Sequence, residues 1–132
     1  MAAQRIRLLQ DKLAIVRYDR ADPMDLEFDG GSGFFSMIRT DKEVSLVMDQ
    51  KRVPRNAPRK STGWRLFEVE GPFPFDAVGI LASVTAPLAD AGVSIFALAT
   101  FDTDYFLVQG RQLRRAVAAL RKAGHTVSGP GI

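Results

Sequence analysis

The sequence predicts an α+β protein in which antiparallel sheets carry their helices on one face. Three observations lead there. Residues from Trp64 onward alternate strand-like and helix-like apolar patterns in the order strand, helix, strand, strand, helix, strand. Before Trp64 there are three strand-like runs and no helical pattern of comparable strength. Of the 132 residues, 46% are apolar and 25% charged, enough apolar surface to offset the cost of ordering, which excludes disorder for most of the chain. This length fits one ordinary domain, or two very small ones sharing a core.

Each element has its own signal. Leu13 to Tyr18 reads as a strand. Ala21 to Gly33 is acidic, ends in glycines and reads as loop. Phe34 to Arg39 and Val44 to Met48 form a hairpin around Thr40 to Glu43. Val53 to Gly63 reads as a connector, because Pro54 and Pro58 break helix and sheet alike. Trp64 to Glu70 is a strand, with Phe67 and Val69 set between charged residues. Asp76 is the expected N-cap of a helix whose Ile80, Leu81, Val84, Leu88 and Ala91 share one stripe. Pro87 should kink or shorten that helix, and Gly92 ends it. Val93 to Thr100 is apolar at almost every position and reads as a strand covered on both faces. Asp102 and Thr103 reverse the chain, and Tyr105 to Gln109 returns. Arg111 to Ala123 is a second helix with Leu113, Val117 and Leu120 inward, closed by Gly124, and His125 to Val127 begins a last short strand.

That order is the ferredoxin-like split βαβ arrangement, with both helices on one sheet face. The other face would be bare, so a cover is expected from the first half, a second subunit or both. The chain is divided into 1–60, a truncated copy of the module plus a basic linker, and 61–132, the complete module.

Composition removes several function classes. With no cysteine there is no disulfide scaffold, zinc thiolate site or thiol catalysis. No run approaches the roughly 20 apolar residues that span a bilayer. Arg5, Arg7, Asp11 and Lys12 interrupt the start and make it a poor signal peptide, so a cytoplasmic location is expected. The net charge of +3 comes from residues before Trp64, largely from Lys51, Arg52, Arg55, Arg59 and Lys60. Such a run can contact nucleic acid. A solvated linker is the preferred reading, because no aromatic within the run, between Lys51 and Trp64, offers a stacking platform, so nucleic acid is not the expected partner.

The candidate site is the start of the first helix. Asp76, Ala77, Val78 and Gly79 are placed in its first turn, where unpaired N–H groups and the helix dipole suit a carboxylate. Gly79 would let a ligand approach the backbone. The second cluster is Thr100, Phe101, Asp102, Thr103 and Asp104, where a carboxylate could receive an ammonium group. Each cluster also has a plain structural reading, as a helix cap and as a turn. Two carboxylates are too few for a metal cage, and no cofactor motif is visible. His125 has no nucleophile partner and reads as a surface or edge-strand histidine, so no catalytic set is assembled and the chain is read as non-catalytic.

The segments Val69-Glu-Gly-Pro-Phe-Pro-Phe-Asp-Ala-Val-Gly-Ile-Leu-Ala-Ser-Val84 and Ala89-Asp-Ala-Gly-Val-Ser-Ile-Phe-Ala-Leu-Ala-Thr-Phe-Asp-Thr-Asp-Tyr-Phe-Leu-Val108 resemble an ACT domain. The likeness is to small bacterial ACT-domain proteins related to aspartate kinase regulatory domains and to the cytosolic arginine sensors of animals. It covers Trp64 to Val127 well and Leu13 to Val53, a degenerate ACT-like half, more weakly. The resemblance implies a module that binds a free amino acid and pairs through its sheets as a homodimer. By motif position it implies that Asp76, Val78, Gly79 and Ile80 contact the ligand main chain, and that Phe96, Ala97, Thr100, Phe101 and Asp104 line its side-chain end. Leu98 and Phe101 depart from the family pattern, which has Ile and Tyr there. The alternative reading is an interaction module, for protein or nucleic acid, with the same fold and no small ligand.

Overall fold

The computed structural model describes residues 3–24, 33–71, 73 and 77–132. Among the described residues seven strands and two α-helices follow in the order β1 (Arg5–Asp19), β2 (Ser36–Arg39), β3 (Glu43–Asp49), β4 (Arg59–Val69), α1 (Ile80–Asp90), β5 (Ile95–Ala99), β6 (Asp104–Gln109), α2 (Leu113–Lys122) and β7 (Thr126–Ser128). The α+β class and the split βαβ order from β4 onward are as expected. The chain forms two compact units, residues 11–64 and residues 1–10 with 65–132. This differs from a division into 1–60 and 61–132, because the first ten residues join the later part of the chain.

The reason is a strand that the charged start conceals. Arg5, Ile6, Arg7 and Leu8 alternate polar and apolar, as a half-buried strand must. Ile6 and Leu8 are buried in one cluster with Phe67, Val69, Val84, Leu88, Phe106, Val108, Val117, Leu120 and Val127. Both helices therefore pack on the sheet face that Ile6 and Leu8 share with alternate residues of β4, β6 and β7. Phe67 and Phe106 stack at its centre, with ring centroids 4.8 Å apart. In this unit the strand order is β7–β1–β4–β6–β5. In the expected arrangement the last strand pairs with the first strand of the module. Here β1 intervenes, and β7 runs parallel to it, with Ile6 opposite Val127. The sheet is thus antiparallel in its β5–β6 hairpin and parallel at β7.

The opposite face of this sheet differs from the bare apolar surface expected. Arg5 pairs with Glu70 at 3.3 Å and Arg7 with Glu68 at 3.2 Å, and the Tyr105 hydroxyl donates to Glu68 at 3.1 Å. A polar ladder can face water without a cover. Strand β5 is not enclosed on both faces either. It is an edge strand on which Ala97 and Ala99 are exposed and Phe96 and Leu98 half-buried.

In the other unit, β3 pairs with β1 and β2 with β3, both antiparallel, which is the expected hairpin. Its core is Ala14, Val16, Tyr18, Val44, Leu46 and Met48. The basic segment is more ordered than a linker. Gln50–Arg52 forms a 3₁₀ turn capped by Asp49, Val53 and Ala57 pack on the core, and β4 already begins at Arg59.

Pro87 lies inside α1, yet the helix continues to Asp90. A proline has no N–H, so the Ser83 carbonyl one turn earlier loses its helical donor. His125 replaces it: its Nε2 lies 2.7 Å from the Ser83 oxygen, and its Nδ1 accepts the Gln4 N–H at 2.9 Å. These partners suit the tautomer with the proton on Nε2. His125 is 6% exposed, so it is neither the surface nor the edge histidine expected.

Substitution tests both contacts. His125→Ala leaves a buried carbonyl without a donor and should cost about 1–3 kcal/mol in urea unfolding. Adding Pro87→Ala restores an N–H to Ser83 and should recover part of that loss. Equal losses in the single and double variants would disprove the pairing. Tyr105 gives a pH dependence: burial first, then its bond to Glu68, holds the phenol above its ordinary range. The stability this adds is complete below about pH 10, where the unfolded phenol titrates, and is lost as pH rises through the higher folded value. Tyr105→Phe should flatten alkaline unfolding curves; an unchanged curve would refute it.

Candidate functional site

A groove of about 280 Å³ opens between the segment entering α1 and the turn joining β5 to β6. Phe73, Ala77, Gly79, Ile80 and Leu81 form one wall, and residues 99–104 form the other.

The first wall ends at a helix N-terminus, but not where the sequence places it. Gly79 is the N-cap, at φ 80°, and α1 begins at Ile80. A left-handed residue cannot continue a right-handed helix, and glycine takes that conformation without a Cβ penalty. Ala77, Val78 and Gly79 therefore precede the helix, and Asp76 lies outside the described residues. Gly79 itself has no side chain with which to cap the helix. The Ser83 N–H bonds back to the Gly79 carbonyl at 3.0 Å, so the N–H groups of α1 without a partner inside the helix begin at Ile80 beside the groove.

The second wall is a turn held by its own backbone. The Thr100 N–H donates to the Thr103 carbonyl at 2.8 Å, and the Thr100 hydroxyl reaches the same oxygen at 3.2 Å. Ala99 and Asp104 face one another across the strand pair. Asp104 is half-buried and Asp102 exposed, and both line the groove. The two walls meet where the Phe73 N–H donates to the Asp102 carbonyl at 3.0 Å.

Of the residues named from sequence, the groove brings together Gly79, Ile80, Thr100, Phe101 and Asp104. Val78 does not line it; its residue is 94% exposed, as Phe101 is 74% exposed at the rim. Phe96 and Ala97 lie along β5, outside the lining. Phe73, Ala77, Leu81, Ala99, Asp102 and Thr103 line the groove without being among the ligand contacts that the resemblance implied. Asp102 and Thr103 carried a signal, since they belong to the polar cluster of the turn. Phe73 and Leu81 carried none beyond apolarity. The described lining residues include two carboxylates and no lysine or arginine, so the groove attracts cations at one wall while offering N–H donors at the other.

Residues 60–122 match the family model of the ACT domain. The protein Atu0741 from Agobacterium tumefaciens, known by its crystal structure, is 34% identical with a TM-score of 0.89, the match covering 100% of this chain and 97% of that one. The human cytosolic arginine sensor for mTORC1 subunit 1 is 31% identical over 96 residues, 67% of this chain and 29% of the sensor. The chain thus spans about a third of the length of the curated relatives it matches. The regulatory subunit of aspartate kinase from Thermus thermophilus, in ligand-free form, has the same fold, with a TM-score of 0.63 at 10% identity over 93% of this chain and 99% of that one.

A Cβ on Gly79 would meet nothing within 4 Å, so Gly79→Ala is strained only by its backbone angle. Thermal or urea unfolding should show a loss of about 1–2 kcal/mol. A neutral effect would mean that α1 starts elsewhere.

Proposed function

Residues 60–122 match the ACT-domain family, and from that premise we propose that the chain is a non-catalytic regulatory module whose groove binds a free amino acid. The observation that carries the reading is the placing of a helix N-terminus opposite a carboxylate-bearing turn. An amino acid presents the complementary pair. Its carboxylate meets the N–H groups at Ile80 and Leu81, and its ammonium meets Asp104, with Asp102 nearby. The half-buried Asp104 is the stronger acceptor, because it is less hydrated than Asp102. Thr100 and Phe101 sit at the side-chain end of the groove. The relatives that are arginine sensors and aspartate kinase regulatory subunits support an amino-acid ligand and a regulatory role.

The open edge of β5 is where a second copy would pair in a homodimer. A cytoplasmic protein of this kind would report amino-acid supply to a partner. Among the described residues no helix is long and apolar enough to cross a membrane. Occupancy changes the module's state only if the amino acid binds two arrangements with different affinity.

A thermal-shift screen against the common amino acids at millimolar concentration tests this. An amino acid at 100 times its dissociation constant stabilises by about 2.7 kcal/mol, on the order of ten degrees for a domain of this size. Lysine and arginine should give larger shifts than aspartate and glutamate, whose extra carboxylate would face Asp102 and Asp104. Asp104→Ala should lower affinity at least tenfold and leave the fold intact. A folded protein that shifts with no amino acid would overturn the ligand and favour an interaction module, to be sought by pull-down and by salt-dependent nucleic-acid binding.

A further inference from the structure

Gly71 lies just before the groove, and neither its backbone angle nor a helix end explains a glycine there. A Cβ at Gly71 would stand 2.5 Å from the Asp102 carbonyl oxygen, 3.2 Å from the Phe73 nitrogen and 3.3 Å from the Phe73 ring. The first distance is far inside van der Waals contact, and the atom it meets is backbone, which cannot rotate away. The same Asp102 oxygen accepts the Phe73 N–H at 3.0 Å. Phe73 in turn packs its ring against the helix-side core.

We propose that Gly71 is a positioning residue of the groove: its missing Cβ lets the Phe73 N–H close on the Asp102 carbonyl, and that single bond sets the separation of the two walls. Phe73, Ala77 and Gly79 follow Gly71 on one wall, while Asp102 holds the turn that carries Thr100 and Asp104 on the other. A methyl group at residue 71 has no room while the bond is made, so the walls must part. The core on the helix side needs no change, because Gly71 itself is exposed. Gly71 thus differs from Gly79, which is free of neighbours and needed for its angle. The affinity part of this inference rests on the proposed amino-acid function; the wall separation does not.

The test compares the whole protein with its Gly71→Ala variant, using Gly92→Ala as a control. Gly92 has φ 74°, a Cβ added there would meet nothing within 4 Å, and it lies at the far end of α1. In unliganded protein, NMR hydrogen exchange should show the Phe73 amide exchanging at least tenfold faster in Gly71→Ala than in the wild type. The amide signals of Thr100 and Thr103 should move as well. Gly92→Ala should lose stability and change neither readout. Binding of L-lysine, L-arginine and the other common amino acids, each followed singly by thermal shift, should weaken at least tenfold in Gly71→Ala for whichever stabilises the wild type. An unchanged Phe73 exchange rate would overturn the clamp. Faster exchange with unmoved Thr100 and Thr103 signals would overturn its control of the opposite wall. Equal amino-acid affinity in a variant with an opened clamp would overturn the link to binding. A wild type that binds none of them would refute the proposed function, while exchange and signal shifts still decide the clamp. An unfolded Gly71→Ala protein would also overturn the assignment, because it would make Gly71 a requirement of the fold.

Discussion

The carbonyl of Ser83 is the point on which the larger unit turns. Pro87 deprives it of its helical donor, and a buried carbonyl without a partner would cost as much as a sizeable share of a small domain's stability. His125 answers it from the segment between α2 and β7, and spends its second nitrogen on Gln4 at the entry to β1. One imidazole therefore ties together a helix, the connection into the last strand and the first strand of the chain. Both bonds suit one tautomer, with the proton on Nε2 and the lone pair on Nδ1. A helix with a proline in its third turn keeps its course for this reason.

The same bond explains why the N-terminal residues belong where they do. Gln4 is held at His125, and the Thr126 N–H donates to the Gln4 carbonyl, so β1 enters the sheet beside β7. Ile6 and Leu8 then point to the helices, and Arg5 and Arg7 to the opposite face, where Glu70 and Glu68 meet them. Exposed pairs of this kind add little energy singly. Their effect is to leave that face polar. A strand that seemed unnecessary to the module supplies both a layer of its core and the chemistry of its outer surface.

Much of this was legible in the sequence and some was not, for definite reasons. The order of elements from β4 to β7 could be read because its apolar periods change sharply at Gly71, Gly92 and Gly124. The start of α1 was misplaced because Asp76 is a good cap by composition, while the true cap, Gly79, works through a backbone angle that composition does not reveal. The first half of β1 was missed because two arginines were read as interruptions when they are the outward half of an alternation. His125 was read as peripheral because its partners are a carbonyl and an amide far away in the chain, neither of which has a sequence signature. In the groove, Gly79, Ile80, Thr100, Phe101 and Asp104 could be named from motif position. Asp102 could be named from the polar turn, but Phe73 could not, since what joins it to that turn is a backbone bond.

That last point separates two kinds of site. A catalytic centre announces itself through side chains, because protons and nucleophiles reside there. This groove is built chiefly from main chain: the first N–H groups of α1, the carbonyl of Asp102 and a turn closed from Thr100 to Thr103. Recognition of this sort depends on how closely two backbone segments approach, and small changes in that spacing weaken every bond across it at once. Glycines then shape the groove by what they lack. Gly79 permits the angle from which α1 departs, and Gly71 permits the approach that joins the walls. The two carboxylates add charge to a shape the backbone has already set. On the proposed function, losing the Asp104 charge weakens the hold on an ammonium group within an intact groove, whereas losing either glycine alters the groove itself.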